Sequence, residues 1–156
     1  MDWKYLKDNV YFSDGSLRDI YVLNSSRADW IKWIDFVNDN YKIDFNYFND
    51  KGEPTHNNKI LYEPIFNTWD GISNIIVDST VHIDDVLIKC YFFSEEEIEN
   101  DIEPSEVKSL ENHNRIMDYL KSISKILNKE VILTIENYSA ASEKLIIVDN
   151  EQVLVI

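Results

Sequence analysis

The chain has 156 residues, 44% of them apolar and 13% aromatic, which is enough for a continuous core and too much for a disordered segment. With 15 Lys and Arg against 29 Asp and Glu, its net charge of −14 argues against nucleic-acid binding and against anionic membrane surfaces, because both need a basic face. No apolar run approaches the roughly 18 residues that span a bilayer. The start, Met1-Asp2-Trp3-Lys4-Tyr5, lacks a secretory signal, and the lone cysteine, Cys90, excludes an intrachain disulfide. A soluble cytoplasmic protein folded as a single domain over 1–156 is the expectation.

In chain order, Val10-Tyr11-Phe12 and the run from Leu17 to Leu23 are β-rich and flank Ser13-Asp14-Gly15-Ser16, which predicts a hairpin with an Asp-Gly turn. A helix follows: Ser25 or Ser26 can cap it, Asp29 lies in its first turn, and Trp30, Trp33, Ile34 and Val37 recur at helical spacing. After Asn38-Asp39-Asn40, the residues Ile43, Phe45 and Tyr47 alternate with polar ones as a strand, closed by a turn from Asn49 to Pro54. Residues 55–73 read as short strands, a helix or buried loop around Pro64. Asn74 to Val77 and Val81 to Phe93 read as two strands, the second long enough for a bend or bulge.

Residues 94–106 hold seven acidic side chains and no basic one, half of the net charge. A second helix runs from about Ser109 to Leu127, with Leu110, Met117, Leu120, Ile123 and Leu127 as its apolar stripe. Glu130 to Glu136 reads as a strand, Asn137 to Glu143 as a loop, and Lys144 to Val148 with Gln152 to Ile156 as a closing hairpin. Short connections favour antiparallel neighbours, so the expected fold class is α+β: a mainly antiparallel β-sheet with two amphipathic helices packed on one face.

The acidic run supplies the first candidate site: Glu96, Glu97, Glu99, Asp101 and Glu103. A solvated loop or first helical turn would explain such a run, and so would a surface for a basic partner, whose encounter complementary potentials would steer. The run contains no glycine for the sharp turn of a calcium loop. Tyr62 and Trp69, beside Asp70 in the irregular middle segment, are candidate aromatic anchors for the same partner. His82 and Asp84 stand two apart on a predicted strand, with Asp85 adjacent, but no third ligand occurs at a metal-site spacing. His113 reads as a packing residue on a helix, and Cys90, among apolar neighbours, as a core side chain rather than a nucleophile. No nucleophile elbow, phosphate-binding glycine loop or dinucleotide fingerprint occurs. No cofactor, no metal and no catalytic residue are expected.

Three stretches, Asp14-Gly15-Ser16-Leu17-Arg18-Asp19-Ile20-Tyr21-Val22-Leu23, the acidic run from Phe92 to Pro104, and Asn128-Lys129-Glu130-Val131-Ile132-Leu133-Thr134, resemble segments of small acidic bacterial proteins similar to the immunity proteins of toxin–immunity systems. The resemblance covers about a third of the chain and carries no partner-contacting residue over by motif. It implies a cytoplasmic protein that binds and blocks a toxin, a basic nuclease being a common type. The reading is therefore a protein-binding inhibitor of a basic toxin domain. One alternative is a nucleic-acid mimic that inhibits a defence enzyme. Its charge would be spread along one face, whereas residues 1–78 hold 8 basic against 13 acidic side chains and residues 79–156 hold 7 against 16, or −5 and −9. The other is a small enzyme using His82, Asp84 and Asp85 with a divalent metal. Oligomeric state is not legible.

Overall fold

The computed structural model describes residues 2–137 and 143–156. The first element is a helix, α1 (Trp3–Asn9), whose cap Asp2 accepts from the Tyr5 N–H. The expected first strand at Val10-Tyr11-Phe12 is absent. Val10 and Tyr11 are instead buried, their N–H groups turned back to the Leu6 carbonyl. The Val10 and Phe12 carbonyls accept from the Arg18 guanidinium at 2.7 and 2.6 Å. A charged side chain thus does for this segment what a ladder would have done.

Arg18 begins β1 (Arg18–Val22), a central strand buried along its whole length. The next helix, α2 (Arg27–Asn40), is as expected: Ser26 and Asp29 form a reciprocal capping box, and Trp30, Trp33, Ile34 and Val37 face inward. β2 (Lys42–Phe48) also follows the expected alternation. The ambiguous middle resolves into β3 (Pro54–Asn57), a short edge strand, and α3 (Tyr62–Trp69).

Asn74 to Val77 is not a strand, and the expected long strand from Val81 is two. β4 (Asp78–Ile83) and β5 (Val86–Cys90) meet in a tight turn at Asp84, which takes φ 52°. β5 stops short of Phe93 because Phe92 adopts φ 55° and buries its ring between Trp30 and Phe45, at centroid distances of 5.4 and 6.2 Å. The acidic run is neither loop nor helical turn at its centre. It contains β6 (Ile98–Ile102), and a 3-10 turn at Pro104–Glu106 follows.

α4 (Leu110–Leu127) is capped by Ser109 and stopped at Asn128, φ 52°. β7 (Val131–Ile135), β8 (Lys144–Asp149) and β9 (Gln152–Val155) complete the chain as read. Most of the predicted loop between Asn137 and Glu143 lies outside the described residues. Among the described residues, nine strands form one antiparallel sheet in the order β3-β2-β4-β5-β6-β1-β7-β8-β9. The fold is α+β, with four α-helices among the described residues rather than two. α2 packs on α4 and β2, and α4 packs on β7 and β8. No described helix is long and apolar enough to cross a membrane.

Candidate functional site

β6 sits inside the sheet, between β5 and β1. Its pleat sends Ile98, Asn100 and Ile102 to the buried side and Glu99 and Asp101 to the other. Asn100 fixes that choice. Its carbonyl oxygen accepts from the Tyr119 hydroxyl of α4 at 2.7 Å, and that hydroxyl accepts from the Trp33 indole of α2 at 3.0 Å. A slip of one residue would break this buried chain and push two carboxylates into the core.

Across the ladder, Glu99 opposes Tyr21 and Asp101 opposes Asp19, so these four side chains share one face of the sheet. The Tyr21 hydroxyl donates to Glu99 and to Asp19, each at 3.3 Å, and the Asn137 N–H donates to Asp19 at 2.8 Å. Lys89 of β5 is the register partner of Asp101 on its other side. Partial burial and then the neighbouring Asp19 push the Asp101 carboxyl up to about 6, and the same two causes raise Glu99. Three carboxylates therefore stand together in a partly desolvated setting where their charges oppose one another. Asp19 was not among the residues singled out from sequence. A period-two pattern within β1 places it opposite Ile20, but only the register of β1 on β6 brings it to Asp101.

The other sequence candidates are distributed more widely. Glu96 is exposed and Glu97 half-buried just before β6, while Glu103 accepts from the Ser105 N–H and so caps the 3-10 turn. Asp70 is not free. It forms a bidentate pair with Arg27 at 2.8 and 3.2 Å, and the same guanidinium reaches Glu95 at 2.8 Å. Arg27 thereby joins the start of the acidic run to the end of α3. Trp69 is a structural ring: its indole donates to the Phe92 carbonyl at 2.8 Å and packs on Trp30 at 5.3 Å. Tyr62, at the other end of α3, is 37% exposed and donates its hydroxyl to Asp35.

His82, Asp84 and Asp85 do not converge. Asp84 lies in the β4–β5 turn and pairs with Arg115 at 2.9 Å, whereas His82 meets the Asp44 carboxylate at 2.6 Å. The second oxygen of Asp44 takes His56 at 3.0 Å. This trio joins β3, β2 and β4 and was invisible in sequence, its members being 12 and 38 residues apart. Among the described residues, no group of three or more His, Cys, Asp or Glu is arranged to hold a metal ion. Cys90 is buried, and burial pushes its thiol far above the usual range, as a core cysteine requires. His113 is buried too and shares a 2.7 Å hydrogen bond with the Tyr11 hydroxyl.

No protein-family model matches this chain, and no curated protein does. Its fold is similar to that of a chain in the crystal structure of the toxic C-terminal tip of CdiA from Pseudomonas aeruginosa in complex with immune protein. The TM-score is 0.50 at 12% identity, over 88% of this chain and 96% of that one. At that identity the likeness is one of fold.

Proposed function

We propose that this protein is an immunity-type inhibitor that binds a basic toxin domain and performs no chemistry of its own. The observation that carries the reading is the half-buried pair Glu99 and Asp101 on the far side of β6, next to the buried Asp19, with Glu96, Glu97 and Glu103 along the flanks. A cationic partner offsets the repulsion between Glu99 and Asp101 and replaces hydration that partial burial has taken from them. In this reading α2 and α4 lie together on one face of the sheet, and the partner approaches the other face along β6, where Glu99 and Asp101 are half-buried beside the buried Asp19 and Tyr21 of β1. The structure that contains the similar chain holds two kinds of molecule, a toxin tip and an immune protein. The net charge of −14 favours the latter role, since many toxin clefts bind phosphate and are basic. Tyr62 adds an exposed aromatic anchor, while Trp69 and Asp70 act indirectly, by fixing α3.

The test is affinity capture from the native host at low salt, with the parent chain and a variant carrying Glu96, Glu97, Glu99, Asp101 and Glu103 as Gln. The expected result is a basic protein held by the parent, lost by the variant and released by salt, whose toxic activity the purified parent blocks. A partner that binds both forms equally at low and high salt would move the interface away from β6.

A further inference from the structure

Along α3 the rings of Tyr62, Phe66 and Trp69 stack in succession, each pair 5.7 Å between centroids. One end of this ladder already binds a cation. The Arg27 guanidinium lies 4.6 Å over Phe66 and 5.8 Å from the Trp69 centroid, while its N–H groups reach the carboxylates of Asp70 and Glu95. A planar cation is held there by ring faces and by carboxylates, a pairing in which both contributions are attractive.

The other end repeats the ingredients without the cation. Tyr62 donates to Asp35, and its ring lines an open groove of about 1020 Å³ whose walls include Phe48, Ile72 and Ile75 and whose acidic members are Asp50 and Glu63. Among the described residues, no Lys or Arg forms an ion pair with Asp35, Asp50 or Glu63. Ile72 is 73% exposed and Phe48 40%, so apolar surface and unpaired carboxylates lie side by side.

We propose that this groove docks a basic amphipathic segment of the partner protein. An Arg or Lys seats against Tyr62 within reach of these carboxylates, as Arg27 does against Phe66, and an adjoining aliphatic side chain covers Ile72 and Ile75. The inference rests on the reading of a basic protein partner and locates a second contact, separate from β6. Neither half of the guest suffices. A neutral segment would desolvate carboxylates without pairing them, and a purely ionic one would leave Ile72 in water.

The experiment follows isoleucine methyl resonances of the full chain during titration with three blocked peptides: Ile-Arg-Leu-Arg-Ile, Ile-Gln-Leu-Gln-Ile and Gly-Arg-Gly-Arg-Gly. The first is expected to move the Ile72 and Ile75 signals and to bind about tenfold more tightly than either control, the scale of one cation–ring or aliphatic contact. Tyr62→Ala and Ile72→Ser should each weaken it by a similar factor. If Tyr62→Ala unfolds the chain, Ile72→Ser, at a solvent-facing side chain, still decides. Equal affinity for all three peptides, or shifts confined to Ile132 and Ile147 on the sheet, overturns the proposal while leaving the basic-partner reading intact. Movement of the Ile72 signal with protein concentration alone would give the groove to a second copy and also overturn it. Selective binding in the groove, together with a captured partner that is not basic, would keep the groove and remove the inhibitor.

Discussion

Arg18 has no exposed side-chain surface, and burial works against its charge, yet its guanidinium donates to the carbonyls of Val10, Phe12 and Leu17 and to the Ser16 hydroxyl. It also lies 4.2 Å over the Phe12 ring. Replacing it with Met would keep much of the volume and orphan those acceptors. Each buried unsatisfied group costs about 1–3 kcal/mol, so Arg18→Met is expected to lose roughly 3 kcal/mol or more in urea denaturation. A loss below about 1 kcal/mol would mean that water takes over the guanidinium's bonds.

Two other side chains give pH effects of opposite sign. Asp101 rises from 3.8 to about 6, chiefly by burial, so between those values the folded chain holds more protons than the unfolded one. Its contribution to stability therefore falls as pH rises through that window, and the penalty is complete above about 6. His113 is pushed by burial from 6.5 down to about 4, and there the unfolded chain holds more protons, so stability is lost as pH falls through the window. Asp101→Asn removes the first effect and leaves the second. The variant should melt higher than the parent at neutral pH and lose stability more steeply on acidification. A variant that melts lower at neutral pH would show that Lys89 already compensates the charge.

At the scale of elements, the decisive link is the buried chain from Trp33 through Tyr119 to Asn100, which ties α2, α4 and β6 together. Tyr119→Phe removes the shared hydroxyl and leaves an indole N–H and an amide oxygen without partners. A destabilisation of about 2 kcal/mol is expected from calorimetry or denaturant titration, with partner binding weakened as β6 loses its fixed register. The helices α2 and α4 were legible in sequence because caps and apolar stripes are local signals: Ser26 with Asp29, and Ser109 before Leu110. The first strand was read where none forms, because Val10-Tyr11-Phe12 has strand composition, yet the Val10 carbonyl is taken by the Arg18 side chain instead of a ladder, a contact across eight residues. β6 was missed for the converse reason. Glu99-Asn100-Asp101 has poor strand propensity, and only pairing on both sides with β1 and β5 makes it a strand.

For the whole molecule, a charge of −14 acts twice. Within the free chain the carboxylates repel, so added salt should raise the melting temperature by screening them. In the proposed complex the same salt should slow association and weaken binding, because unlike charges are screened as well. Calorimetry of the free chain, beside binding rates measured over a salt series, checks both signs. If melting and affinity moved in the same direction, the surface charge would not be what the partner reads.

Composition by itself set the acidic surface and the capacity for a large core. Local pattern set α2, β2, α4 and the strands from Val131 onward, because capping and side-chain period depend on residues within a turn or two of each other. What only the tertiary structure decided is where the charge goes. Burial of Asn100 against Tyr119 turns Glu99 and Asp101 outward, the β1–β6 register adds Asp19, and Arg27 takes Asp70 and Glu95 out of the free carboxylates. Those partners are 19 to 82 residues apart, as the Asn100–Tyr119 bond and the Asp19–Asp101 pairing show, and at such separations local pattern has no hold. The register of the sheet and the packing of the core fix them together.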